Sequence, residues 1–104
     1  MQIQVNTDNN IDGSERLEAY VTEAIEHGLR HYVDKITRVE VHLSDQNADK
    51  EGADDIRCRI EARVEGLQPL MVESNEETNE KAISAAADKI QARLRTEIGK
   101  MKSH

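Results

Sequence analysis

The chain has 104 residues, with 14 Lys or Arg against 21 Asp or Glu and a formal charge of −7. That length fits one domain, residues 1–104, able to bury a core without disulfides or metal. The charge argues against a general nucleic-acid binder, and two tyrosines with no Phe or Trp exclude a base-stacking platform. The core must therefore be built from Ile, Leu, Val and Ala. The lone cysteine, Cys58, cannot close an internal disulfide and fits a reducing compartment. The opening MQIQVNTD lacks the basic region and apolar run of a signal peptide. No stretch approaches the roughly 20 apolar residues of a membrane span. A cytoplasmic protein with no membrane partner is expected.

In chain order, Ile3 and Val5 alternate with polar neighbours over residues 2–7, as in a half-buried strand. DNNIDG is loop chemistry, and Ser14 reads as a helix N-cap with Glu15 in the first turn. Leu17, Val21, Ala24, Ile25, Gly28, Leu29 and Tyr32 form one apolar stripe on a helix of about five turns. Gly28, on the inner face, suits close approach to the sheet. Residues 36–44 alternate again, with Val39, Val41 and Leu43 opposite Arg38, Glu40 and His42. After the polar loop DQNADKEGAD comes the clearest strand, 55–65. It sets Ile56, Cys58, Ile60, Ala62 and Val64 against Arg57, Arg59, Glu61 and Arg63. Gly66 ends it. PLMVES, residues 69–74, is a last short strand, and Pro69 belongs at a strand start or edge because it has no amide donor. A final helix begins near Thr78 or Asn79 and carries Ile83, Ala86, Ala87, Ile90, Leu94, Ile98 and Met101 inward. The order β-α-β-β-β-α predicts an α+β fold: a four-stranded mixed sheet with two helices packed on one face. The first two strands should be parallel and the later ones antiparallel.

Few constellations carry chemistry. Asp45, Asn47 and Asp49 form a D-x-N-x-D fragment of a calcium loop, but the required Gly and Glu positions hold Lys50 and Ile56. His27 and His31 stand four apart, on the solvent face, without the further ligands zinc requires. Cys58 lies on an apolar strand face, where a cysteine acts as a small hydrophobe. There is no phosphate loop and no nucleophile elbow. Neither enzyme activity, a metal, a cofactor nor a small-molecule substrate is expected.

The basic residues are more informative. From Lys89 onward there are five basic residues and one acid, Glu97, leaving nine basic and twenty acidic residues in 1–88. At 100° per residue, Lys89, Arg93 and Lys100 share one stripe beside the core edge, with Arg95 and Lys102 on the opposite flank. Such a stripe can follow a phosphate backbone. Equally, cations near a helix C-terminus complement its dipole. Arg57, Arg59 and Arg63 are either an RNA-facing row or, the favoured reading, a row paired with acids on neighbouring strands.

Three stretches carry a family resemblance: MQIQVNTDNN-I followed by LEAYVTEAIEHGLRHYVDKITRVEVHLSD, then NADKEGADDIRCRIEARVEG, then EKAISAAADKIQARLRTEIGKMK. Together they span nearly the whole chain. The sequence resembles the ribosome hibernation-promoting factor and ribosome-associated inhibitor family, also labelled sigma-54 modulation proteins, in its short form. The resemblance implies the same β-α-β-β-β-α fold. It further implies a translation inhibitor that occupies the small ribosomal subunit in stress or stationary phase and meets ribosomal RNA through basic residues on its helices. Carried onto this chain, the RNA-binding candidates are Lys89, Arg93 and Lys100, with Arg30, Lys35 and Arg38 as weaker ones. The extra C-terminal domain of the long forms is not expected, nor ribosome pairing through it. This chain departs from the family in its acidic first helix, with Glu15, Glu18, Glu23 and Glu26. The alternative reading is an acidic protein-interaction or regulatory module on the same scaffold, which does not bind the ribosome.

Overall fold

The alternating Ile3 and Val5 form the inward face of β1, Gln2–Thr7, in the computed structural model, which describes residues 1–8, 11, 13–46 and 56–102. Asn47, Asp49 and Lys50 of the calcium-loop fragment lie outside the described residues, as do residue 55 at the start of the third strand and the side chain of Lys102. After β1 come α1 (Glu15–Gly28), a 3-10 turn (Arg30–Tyr32), β2 (Ile36–Asp45), β3 (Ile56–Val64), β4 (Leu70–Glu76) and α2 (Asn79–Lys102). The strands lie in the order β1-β2-β3-β4. β1 runs parallel to β2, as the helical crossover demands, and the other two pairs are antiparallel. α2 packs over β3 and β4, and α1 lies beside it and against β1. The opposite sheet face carries polar side chains. The predicted mixed sheet with two helices on one face is the observed architecture.

Local chemistry explains the boundaries. The Ser14 hydroxyl accepts from the Leu17 amide at 3.1 Å, and Glu15 and Glu18 sit at the positive end of the helix dipole. α1 is shorter than its apolar stripe predicts. The Leu29 amide still reaches Ile25, but Tyr32 bonds to Leu29 and Lys35 to Tyr32, so the last turn tightens to lead the chain into β2. Gly28 faces α2 rather than the sheet: a Cβ built there would stand 3.8 Å from that of Ala87. Pro69 directly precedes β4, which is an edge strand.

A register shift between Ile36 and Arg38 lets β2 bury both Ile36 and Val39, although their spacing breaks the alternation. The bulged Thr37 hydroxyl donates to the Arg63 carbonyl. The core is aliphatic, with Ile25, Leu29, Leu43, Ile60, Ile83, Ile90 and Leu94 among its fully buried side chains. One polar residue among those described enters it: Ser74, on the inner face of β4, donates to the Ala82 carbonyl at 2.6 Å and ties the strand to the first turn of α2. No helix among the described residues is long and apolar enough to cross a membrane.

Candidate nucleic-acid interface

α2 buries Ile83, Ala86, Ala87, Ile90, Leu94 and Ile98, which fixes the direction of every other side chain on it. Lys89, Arg93 and Lys100 consequently line the flank nearest β4, over about 17 Å at 1.5 Å per residue. Lys89 and Arg93 border a shallow groove with Val72, Ala92 and Thr96 at the sheet edge. Asp88 points the other way, into the groove between the helices. The flank facing β4 is therefore cationic within an acidic chain.

The three cations differ in how free they are. Lys89 reaches over the sheet edge, and its Nζ donates to the Glu73 carbonyl at 2.7 Å. Lys100 stands 3.6 Å from the Glu97 carboxylate, one helical turn away, in an exposed pair. Arg93 forms no ion pair among the described residues and projects into solvent.

The remaining candidates do not join this stripe. Arg30 lies in the 3-10 turn, where its guanidinium donates to the His27 carbonyl at 2.6 Å and borders the interhelical groove beside Asp88 and Gln91. Arg38 points to the outer face of β2, on the β1 side. It pairs with Glu40 at 2.8 Å and donates to Gln4 across the parallel strands. Its Nε is buried without a hydrogen-bond partner among the described residues. Lys35 is exposed in the turn before β2, where its backbone carbonyl accepts from Glu65.

The arginine row of β3 divides. Arg57 and Arg59 both face Glu73 of β4, at 3.7 Å each, so the cross-strand pairing expected for them is present. Arg63 instead pairs with Glu61 of its own strand at 3.3 Å. Sequence reasoning gave Arg57 and Arg59 no link to the α2 stripe, yet one residue connects them. The Glu73 carboxylate faces the two arginines while its carbonyl holds Lys89. The signal in the sequence is the i, i+2 spacing of Arg57 and Arg59. Their neighbour on β4 is visible only once the register is known.

Other chemistry finds little footing. His27 lies in the last turn of α1 and His31 in the 3-10 turn, so the helix that would have aligned them ends between them. Among the described residues, no group of three or more His, Cys, Asp or Glu is placed to hold a metal. Cys58 is buried, and burial pushes its thiol up to about 12, which keeps it protonated and unreactive at neutral pH. The Lys81 ammonium beside exposed Glu77 lowers that carboxyl below its ordinary value by hydrogen bond and charge.

Comparison with known proteins agrees with this architecture. No curated protein matches the sequence significantly. Among solved structures, the N-terminal domain of Thermus thermophilus Protein Y superposes with a TM-score of 0.73 at 22% identity, over 92% of this chain and 98% of that one. A ribosomal subunit interface protein from Coxiella burnetii gives 0.77 at 13% identity, over 95% and 99%. At such identities the likeness establishes the fold. The family model described as sigma 54 modulation protein / S30EA ribosomal protein matches residues 3–102. With that match running from β1 to the end of α2, the chain belongs to the sigma 54 modulation protein / S30EA ribosomal protein family.

Proposed function

We propose that this protein is a ribosome-associated translation inhibitor that docks on small-subunit ribosomal RNA through the β4-facing flank of α2, and that it acts in stress or stationary phase. The observation that carries this reading is the alignment of Lys89, Arg93 and Lys100 on one flank, with Arg93 exposed and in no ion pair among the described residues. Family membership supports it, as does the likeness to a protein described as a ribosomal subunit interface protein. Inhibition on this reading is by occupancy: a rigid domain lies where RNA would otherwise pass, and no bond is made or broken. Lys35 serves as an outlying contact. Arg30 and Arg38 contribute less, because each must first release a partner within the fold.

A second reading is favoured by α1, whose exposed Glu15, Glu18, Glu23 and Glu26 repel phosphate. On that reading the domain binds a basic protein and leaves ribosomes alone. Co-sedimentation with purified small subunits at two salt concentrations separates the two. RNA docking predicts recovery with the subunits at low salt, a steep loss at high salt, and no recovery when Lys89, Arg93 and Lys100 are all changed to Glu. An unchanged triple variant would remove α2 as the contact.

A further inference from the structure

The outer face of the sheet is ordered in rows by the strand register. Glu40 and Glu61 stand opposite one another, forming an acidic row. The next two rows place His42 opposite Arg59 and Ser44 opposite Arg57. These four side chains line a concave depression of about 200 Å³, across the sheet from the helices. Side chains directly opposite on neighbouring strands stand about 5 Å apart, and alternate residues along one strand about 7 Å apart. The corners of the depression therefore suit a single tetrahedral anion better than an extended chain.

The donors are arranged for such a ligand. The Ser44 hydroxyl accepts from the Gln46 amide at 2.6 Å, which leaves its own proton to give away. Among the described residues, the two guanidiniums are engaged on the β4 side only, and loosely. Glu73 stands 3.7 Å from Arg57 Nε and from Arg59 Nη2, and Asn75 accepts from Arg57 Nε at 3.4 Å. Each guanidinium carries five N–H donors in a planar fork, so the donors turned toward His42 and Ser44 have capacity to spare. One carboxylate between two guanidiniums leaves a local excess of positive charge. His42 stands 3.9 Å from Glu40, at the acidic margin of the depression.

We propose that His42, Ser44, Arg57 and Arg59 form a phosphate-binding cradle on the open face of the sheet, distinct from the α2 flank, with Glu73 as its resident counterion. The ligand is a phosphate oxyanion, whether a phosphodiester of RNA or the terminal phosphate of a nucleotide. A ligand in the cradle competes with Glu73 for both arginines. Because the Glu73 carbonyl also holds Lys89, the occupied cradle adjoins the α2 flank around the β4 edge.

The test is an NMR titration of the full chain, following arginine Nε–H and histidine ring signals at constant ionic strength. Inorganic phosphate is the first probe and chloride its control. An RNA oligonucleotide without a terminal phosphate and a nucleoside triphosphate then identify which source the cradle accepts. Phosphate should saturate shifts at Arg57, Arg59 and His42. The Arg57→Gln, Arg59→Gln double variant should weaken that binding by about tenfold or more. Glu73→Gln should strengthen it, and Arg93→Gln should leave it unchanged. Equal shifts with chloride, or a double variant that titrates like the parent, would overturn the proposal. Its failure is distinguishable from failure of the ribosomal reading: parent protein that co-sediments with small subunits but shows no phosphate-specific shifts at Arg57, Arg59 and His42 sinks the cradle alone.

Discussion

Substituting Lys89, Arg93 and Lys100 one at a time with Gln tests the RNA contact more stringently than reversing all three charges. If each cation meets one phosphate, the logarithm of affinity should fall against the logarithm of salt with a slope of about −2 to −3. Between about 50 and 200 mM salt that is a loss of roughly 16- to 64-fold. Each single variant should flatten the slope by about 0.7 to 0.9. The absolute losses should differ, because the three residues start from different positions. Lys89 gives up its hydrogen bond to the Glu73 carbonyl before it can meet phosphate, which offsets about 1 kcal/mol of its gain, or about fivefold in affinity. Lys100 gives up an exposed pair with Glu97, a smaller loss. Arg93 gives up no ion pair among the described residues and can meet phosphate through two N–H groups at once. Arg93→Gln should therefore be the most damaging, then Lys100→Gln, then Lys89→Gln. Fluorescence anisotropy of labelled protein against purified small subunits, at four or more salt concentrations, reads both slope and affinity. Slopes equal to the parent's in all three variants would refute contact through this flank. A Lys89 variant weaker than the Arg93 variant would refute the ranking by internal partners.

Stability measurements test the fold. Gly66 has φ of +82°, so Gly66→Ala should lower stability by about 1–2 kcal/mol, read by chemical denaturation. Gly99 lies within α2 with open space where a Cβ would sit, so Gly99→Ala should raise stability by about 0.5 kcal/mol. Ser14→Ala removes the cap on Leu17 and should cost about 1 kcal/mol. The Cys58 thiol, held at about 12 against an ordinary 9.0, favours its neutral form in the fold. Its stabilisation is complete below pH 9 and is lost as pH rises from 9 toward 12, by up to about 4 kcal/mol. Cys58→Ala should flatten that alkaline loss, and native protein should resist thiol labelling at neutral pH until it unfolds.

Much of the architecture can be read directly from periodicity. Ile3 and Val5, the alternation around Ile60 and the helical spacing from Ile83 to Ile98 each point to one buried face, and all of them meet in one core. Ser14 and Pro69 mark boundaries because one supplies an acceptor and the other lacks a donor. The departures arise where a contact overrides local pattern. Thr37 bulges out of β2 to bond Arg63, 26 residues away, and the resulting shift buries Ile36 out of phase. The first helix tightens after Gly28 because the chain must turn into β2. The candidate site is less legible, since a charge pattern shows where cations lie and not what already holds them. Arg38 resembles Arg93 in sequence, but Glu40 and Gln4 engage it, and the Gln4 contact exists only because β1 pairs with β2. The placement of Lys89 against Glu73 likewise depends on where the middle of β4 meets the middle of α2.

That Lys89 contact bears on how the free protein avoids itself. β4 is an edge, and an edge strand with open backbone acceptors invites pairing with a neighbouring molecule. An ammonium set on one of those acceptors, with its charge at the margin, makes approach by a second strand unfavourable. The same side chain on the proposed reading turns outward when RNA arrives. Guarding the edge and gripping the ligand thus draw on one amine, and the edge loses its guard only when a polyanion is there to shield it. Selection on Lys89 would then act through solubility as well as through binding, and a change there would register first as self-association at high protein concentration.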